Sequence, residues 1–237
     1  MSYPVVENPV TGERGIIQHS PADNHSALVA DLYARPGAAV VGEHVHPGAT
    51  ESFTVVRGRL GMRIDGEDSE AGPGTRVVIP PNTPHDWWNI SDETTWVIVE
   101  VAPGRRFEQM IRNLFGLAAA GRTDDTGRPG LLQAALLARE FDDTIRFTSP
   151  PRALQKPLFT VLAPLARRRG LRGSYSEYER HSGEVIHHLE PLPADIADLL
   201  PSTVTSGRDI NRARLGPKDP SPKPGPQQAT TRSQSAD

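Results

Sequence analysis

The sequence predicts a mainly β fold, an antiparallel sandwich or barrel that is followed by helices. Between residues 26 and 103, short segments rich in Val, Ile and Trp alternate with turn sequences. After Gly104 the apolar residues recur at helical spacing. From about Ser202 the chain is polar and rich in proline, which predicts disorder because such a segment buries too little apolar surface.

The predicted strands lie close together with no helix between them, which indicates antiparallel pairing. They cover residues 27–33, 38–46, 51–56, 60–64, 76–79, 86–90 and 94–101. Asp65-Gly66 is the strongest hairpin signal, because both residues tolerate the positive φ of a tight turn.

Three helical segments are predicted after the strands. The first covers about residues 107–121. The second, 129–141, has almost no polar face, so we expect it to be buried against the barrel or in a subunit interface. The third, 154–165, contains Pro157 and Pro164, which predict a kink or a split into two short helices.

These segments divide the chain into four predicted regions. They are an N-terminal arm, partly strand, at 1–25, a β-barrel at 26–103, a helical extension at 104–201, and a disordered proline-rich tail at 202–237.

Composition narrows the classes of function. The formal net charge of −3 favours neither nucleic acid nor an anionic membrane as a partner. The absence of cysteine excludes disulfides, thiolate metal sites and a cysteine nucleophile, so imidazoles and carboxylates must hold any metal. The first thirty residues lack a secretory signal pattern and no apolar stretch is long enough to span a membrane, so we expect a cytoplasmic protein.

Two histidines stand one residue apart in a predicted strand. Side chains two positions apart share a face, so the imidazoles of His44 and His46 can converge on one ion. The chain turns at Pro47-Gly48, and Glu51 opens the next strand, where it can supply an oxygen ligand. His85 opens a later strand after a proline-bounded turn. We expect these four residues to bind one divalent metal ion.

The segment around the histidine pair resembles the first motif of the cupin family. In that motif a glutamate follows the pair and a glycine follows the glutamate, and Glu51 and Gly58 occupy these positions with the family's spacing. The leading glycine of the motif, here Gly37, lies one residue early.

A later segment resembles the second cupin motif, through Gly74, Pro80, His85 and Asn89. It departs from the pattern at Asn82, where the family usually has glycine. The change is mild, because asparagine also tolerates a left-handed backbone conformation. The resemblance covers roughly residues 26–103 and implies a cupin jelly-roll β-barrel.

The resemblance favours Fe(II) as the metal. Three imidazoles and one carboxylate also suit Mn(II), Ni(II), Cu(II) or Zn(II). Because some cupins have lost ligands, a barrel without metal is the alternative.

Alternation along the strands predicts the walls of a substrate pocket. Phe53 and Val55 share the face of Glu51, and Trp87 and Asn89 share the face of His85. An aromatic, apolar wall suits a hydrophobic or aromatic ligand, although the same side chains could simply fill the barrel.

The resemblance to cupin dioxygenases suggests a metal-dependent oxidoreductase that acts on a small organic molecule, with Glu51 able to bind the metal or to act as a base. A metal-dependent isomerase, cyclase or lyase is one alternative, and a cupin that only binds a small molecule or a metal is another. Because cupins commonly pair, we expect a homodimer.

Overall fold

The computed structural model describes residues 2–180, 184–206 and 208–211. Its strands are β1 (Tyr3–Asn8), β2 (Glu13–His19), β3 (Leu28–Ala34), β4 (His44–Val45), β5 (Thr50–Arg57), β6 (Leu60–Ile64), β7 (Glu67–Ala71), β8 (Arg76–Ile79), β9 (His85–Asn89), β10 (Thr95–Ala102), β11 (Arg146–Phe147), β12 (Val185–Ile186), β13 (Leu192–Pro193) and β14 (Ile210–Asn211). Its helices are α1 (Phe107–Ala119), α2 (Leu131–Glu140), α3 (Arg152–Arg168), α4 (Ser176–Glu179), α5 (Ala194–Ala197) and α6 (Ser202–Thr205).

Two antiparallel sheets enclose the main core. One has the strand order β12-β1-β2-β3-β10-β5-β8, and the other has the order β11-β4-β9-β6-β7. Phe53 and Val55 from the first sheet and Leu60, Met62 and Trp87 from the second belong to a single buried cluster. The mainly β architecture predicted from the sequence is confirmed, and the metal-ligand candidates lie on strands of both sheets.

The strand prediction differs from the structure in two places. The unpredicted strand β7 lies at an edge of its sheet, and all but the last of its residues, Ala71, are exposed and polar, so it lacks an alternating apolar pattern. In the predicted strand 38–46, only His44–Val45 is regular strand. Gly42 interrupts the extended conformation with a φ of +113°.

The N-terminal segment is part of the larger sheet. β2 pairs with β3, and β1 pairs with both β2 and β12. Val6 and Ile17 contribute to the main core from this hairpin. Helix α1 adds Phe107, Met110 and Phe115 to the same core, so it packs against the barrel.

The other helices partly differ from expectation. Helix α2 buries Ala135, Leu136 and Leu137 but leaves Leu131 57% exposed. The predicted split of the third helix is wrong, because α3 continues from Arg152 to Arg168 through both of its prolines. Leu136 of α2 packs against two buried alanines of α3, and this contact supports the helix where proline removes a backbone donor.

The C-terminal segment covers the opposite face of the larger sheet. Trp96 and Ile98 alternate along β10 with residues of the main core, and they pack instead against Leu192 and Val204. Arg208 forms a buried ion pair with Asp31, whose carboxylate also accepts a hydrogen bond from the Trp96 indole at 2.7 Å.

This packing corrects the predicted start of the disordered tail. Residues 202–205 form α6 and residues 210–211 form β14, because the buried Val204 anchors them to the sheet. The remainder of the predicted tail, from residue 212, lies outside the described residues. Among the helices of the described part, none combines the length and the hydropathy of a membrane span.

Candidate metal centre

Four buried side chains meet inside the barrel. His44 in β4 lies directly opposite His85 in β9. His46 follows two residues after His44, and Glu51 comes from β5 in the other sheet. The potential ligand atoms all lie within 4.8 Å of one another. Ligands of a single ion with bonds of about 2.1 Å lie up to about 4 Å apart, so the cluster is close to a binding geometry.

Each imidazole is oriented by a backbone carbonyl group. The Nδ1 atoms face the carbonyl oxygens of Gly42 for His44 (3.0 Å), Thr83 for His85 (2.9 Å) and Thr144 for His46 (2.8 Å). Since a carbonyl oxygen can only accept, each Nδ1 carries a proton and donates it. Each Nε2 is therefore left to act as a metal ligand, which is the usual arrangement of metal-binding histidines.

The surroundings set the charges of the groups in the cluster. Burial and the neighbouring His85 and His46 lower the pKa of His44 to about 3, so this imidazole is neutral at pH 7. Burial would raise the pKa of Glu51, but His46 and His85 lower it well below its ordinary value. Burial also opposes protonation of His46, yet the Glu51 carboxylate raises the pKa of that imidazole. The ionised carboxylate thus attracts positive charge to the centre.

The contacts around Glu51 fit a metal ion. Its Oε2 atom lies 2.9 Å from Nε2 of His85 and 3.2 Å from Nε2 of His46. Among the described residues, the buried Nε2 of His46 has no hydrogen-bond partner, because this approach lacks hydrogen-bond geometry. Neutral imidazoles that hold their proton on Nδ1 would direct lone pairs at the carboxylate, which is unfavourable. A divalent cation between them satisfies all four groups.

A cavity of about 100 Å³ reaches this cluster. We call it the inner chamber. The residues on its wall that define it are His44, Glu51, Phe53, Trp87, Phe107 and Ile111. Apart from the cluster and two further glutamates, its wall is apolar. A ligand in the inner chamber therefore meets the metal-binding groups within a mostly dry surrounding.

A larger cavity of about 530 Å³ lies between the barrel and helices α1, α2 and α3. We call it the outer chamber, and we define it by Glu43, Arg63, Arg128, Ala134, Phe141 and Phe159. Five apolar residues line both cavities, so the chambers are neighbours with a common wall. These residues are Val41, Met110, Leu114, Ile145 and Phe147.

Comparison with known proteins identifies the barrel. Residues 33–104 match the family model described as a cupin domain, and the match includes all four clustered residues. This part of the chain is a cupin domain. The helical extension follows the matched residues in the chain, and three of its helices line the outer chamber.

The cupin domain is similar to a curated protein of Streptomyces cyaneus, polyketide synthase CurC. The two are 33% identical over 69 residues, which are 29% of this chain and 44% of the relative. The chain thus matches less than half the length of that relative.

Solved structures of cupin type are also similar. KdgF from Halomonas sp. is 24% identical, with 42% of this chain and 86% of that chain covered and a TM-score of 0.37. Pac13, a nucleoside dehydratase, is 20% identical, with 43% and 77% covered and a TM-score of 0.35. A sugar phosphate isomerase from Silicibacter pomeroyi is 18% identical, with 43% and 70% covered and a TM-score of 0.37.

The residue types at two motif positions of the cupin domain, Gly58 and Asn82, follow from the backbone conformation there. Gly58 has a φ of +80°, and a Cβ atom there would lie 2.4 Å from Oγ1 of Thr95. Asn82 adopts the left-handed conformation, with a φ of +62°, that glycine usually supplies. Its side-chain amide donates to the carbonyl oxygen of Pro47 at 3.1 Å, and its backbone N–H donates to that of His46 at 2.9 Å. Asn82 therefore links the loops of the two motifs.

The predicted pocket residues separate into two pairs. Phe53 and Trp87 line the inner chamber, with ring centroids 6.4 Å apart. Val55 and Asn89 are not among the residues on its wall, and their place in a substrate pocket stays a prediction. Val55 is fully buried in the core, and the Asn89 amide donates to three backbone carbonyl groups. Inward orientation on a strand thus does not by itself place a side chain at a cavity.

Several further residues lie at the site without a clear signal in the sequence. Phe107 and Phe147 lie beside the cluster, with ring centroids 5.2 Å from His46 and 6.2 Å from His44, respectively. Glu13 and Glu108 also line the inner chamber. For Phe107, its place at the start of an amphipathic helix is the only available signal. Glu13 carries no local pattern that distinguishes it from a surface glutamate.

Proposed function

We propose that this protein is a metal-dependent enzyme that transforms a small organic molecule, as an oxidoreductase that uses dioxygen. The observation that carries this proposal is the position of His44 and Glu51 in the wall of an apolar, aromatic chamber. A metal held by His44, His46, Glu51 and His85 would present its remaining positions to that chamber. We propose Fe(II) as the metal, on the basis of the cupin resemblance and the nitrogen and oxygen donors.

The chain's own residues support such a reaction. Phe53, Trp87 and Phe107 exclude water and provide aromatic surface for an apolar substrate. The three backbone carbonyls hold the imidazoles in position before a ligand arrives. Glu51 can hold a substrate proton if it leaves the metal, since it is the carboxylate of the cluster. When bound, Fe(II) supplies the ability to bind and reduce dioxygen.

The second candidate is a metal-dependent isomerase, cyclase or lyase. Glu13 favours it, because burial raises the pKa of this carboxyl to about 7, against a smaller opposing effect of the Thr11 hydrogen bond. A carboxyl with a pKa near the working pH suits acid–base catalysis without a redox step. In this case the metal would serve as a Lewis acid.

Loading the full chain with Fe(II) or with Zn(II) separates these functions. The name of the curated relative refers to polyketide synthesis, so phenols and β-diketones, which are common polyketide groups, are the first substrates to test. We expect the Fe(II) form to consume oxygen with at least one of them and the Zn(II) form to consume none. Product formation by the Zn(II) form without oxygen uptake would favour the second candidate.

His85→Ala is the variant for this assay. In a protein that remains folded by circular dichroism, the loss of one ligand should abolish turnover. Turnover that persists in His85→Ala would contradict a metal-dependent reaction. If the wild-type protein binds the substrates but neither its Fe(II) form nor its Zn(II) form converts them, the result would indicate a binding protein. The homodimer stays a prediction, which light scattering would test.

A further inference from the structure

The inner chamber is too small for a substrate much larger than a single ring. A cavity of roughly 150 Å³ binds one benzene molecule. The inner chamber has about 100 Å³. A larger substrate that reaches His44 and Glu51 must therefore place part of its volume elsewhere.

The outer chamber supplies that volume. At about 530 Å³ it lies within the range of roughly 300–1,000 Å³ that is typical of ligand pockets. Its common wall with the inner chamber consists of side chains, among them Leu114 and Phe147, so the two spaces lie side by side. The helical extension builds most of its outer side, with Ala134, Phe141 and Phe159.

Arg128 gives the outer chamber a specific polar contact. Its guanidinium lies beside the strand that carries His44, with Nη2 3.5 Å from the position of a Cβ atom at Gly42. Among the residues that the structure describes, this guanidinium makes no side-chain hydrogen bond, and it lies on the wall of the cavity. Asp124 is a charged neighbour: its carboxylate accepts a hydrogen bond from the backbone N–H of Arg128 at 2.9 Å, and the Thr126 hydrogen bond and, to a smaller extent, the Arg128 charge lower its pKa. A guanidinium with free donors binds carboxylate groups through two parallel hydrogen bonds.

The other charged residues of the outer chamber are less available. The Arg63 guanidinium forms an ion pair with Asp68 through its Nε and Nη2 atoms, at 2.6 and 2.9 Å, and this carboxylate offsets its charge. Glu43 accepts a hydrogen bond from Thr148 at 2.6 Å, and Asp86 accepts one from the backbone of Trp87 at 2.9 Å. These two carboxylates would repel an anion, so an anionic group has one favourable position, at Arg128.

We propose that the outer chamber binds the body of the substrate, and that Arg128 binds an anionic carboxylate on it while an apolar end enters the inner chamber. The substrate class is then an aromatic or aliphatic organic acid. This inference rests on the proposed function only for the reaction that follows substrate binding. What it predicts is the binding of the substrate. The helical extension becomes the part of the chain that selects the substrate.

Two matched probes test the role of Arg128. 2-Naphthoate carries a carboxylate, and 2-naphthamide has the same shape without the charge. Their dissociation constants are measured by fluorescence titration of the metal-free full chain, so that neither probe binds through a metal. We expect wild type to prefer naphthoate, and Arg128→Gln to weaken naphthoate by roughly 10- to 100-fold while naphthamide changes less than about twofold. Arg139→Gln is the matched control, because Arg139 lies in α2 but hydrogen-bonds Thr160 outside the chamber.

A second variant tests the chamber itself. Ala134 is half-buried in α2 and lines the outer chamber, so Ala134→Phe should fill it and weaken both probes by roughly tenfold or more. The metal content after reconstitution should remain at that of wild type. The inference is overturned if neither probe binds wild type, if Arg128→Gln leaves naphthoate unchanged or weakens both probes equally, or if Ala134→Phe binds both as before. Failure of the proposed function would appear instead as absence of turnover in the metal-loaded assays, with these affinities intact.

Discussion

The region around Glu51 and the region around Glu13 both place a buried glutamate at the inner chamber, yet their pKa values move in opposite directions. Glu51 is 4% exposed and Glu13 is 5% exposed, so burial opposes ionisation of both. His46 and His85 lower the pKa of Glu51 below its ordinary value. Thr11, whose hydroxyl donates to Glu13 at 2.5 Å, is too weak a partner, and the pKa of Glu13 rises to about 7.

The comparison shows that partners, not burial, determine the charge of a carboxyl in this chamber. The Glu51 region is built to hold an anion and attract a cation. The Glu13 region holds a carboxyl that is partly protonated near neutral pH. One cavity therefore has an ionised carboxylate at one position of its wall and a partly protonated carboxyl at another.

The largest expected effect distinguishes the two glutamates as ligands. Glu51→Gln keeps the shape of the side chain but removes the anionic oxygen. Loss of a hydrogen-bond partner of a metal ligand lowers metal affinity by up to about 100-fold, so loss of the ligand itself should lower it by more. Glu13→Gln should retain about one ion per chain. Isothermal titration with Zn(II) measures both. Equal affinities in the two variants would show that Glu51 is not a ligand.

The next effect concerns pH and stability. The pKa of Glu13 rises from 4.5 to about 7 in the folded chain. Between these values the unfolded chain releases a proton that the folded chain keeps, so the free energy of unfolding falls as pH rises from about 4.5 to 7. The fall amounts to at most about 3 kcal/mol and persists above pH 7. In Glu13→Gln this contribution should vanish, as urea unfolding at a series of pH values would detect. An unchanged slope would contradict the raised pKa.

The smallest effect separates Thr11 from burial. Thr11 stabilises the ionised form of Glu13, so Thr11→Val should raise its pKa further. Above pH 7 the variant should lose about 1.5 kcal/mol of unfolding free energy, and at pH 4 it should lose less. The same urea series provides the measurement. A loss that is equal at all pH values would assign Thr11 a packing role only.

The metal cluster could be predicted from the sequence because its evidence is local. Alternation along the extended segment that begins with β4 places His44 and His46 on one face, and motif spacing brings Glu51 and His85 to them. The tolerance of asparagine for positive φ also explains Asn82 correctly. Short-range rules of strands and turns are sufficient for these features.

The rest of the site depends on long-range contacts that no local pattern records. The carbonyl of Thr144 orients His46 from 98 residues away, and a backbone carbonyl has no sequence signature. The outer chamber exists only because α2 and α3 dock beside the barrel. The Asn89 amide is used by backbone carbonyl groups of Ala34, Arg35 and Glu93, which parity along a strand does not reveal.

The docking of the helical extension has a thermodynamic consequence for the metal. β11, which follows α2, pairs with β4 through Phe147 opposite His44, and Thr144 fixes His46. Metal binding and docking of the extension should therefore be thermodynamically coupled. If only the docked state binds the ion, an ion concentration of about a hundred times the dissociation constant would stabilise that state by about 2.7 kcal/mol. Loosening the extension would weaken metal binding by reciprocity. A metal ion bound at the cluster would therefore stabilise the docked position of the extension.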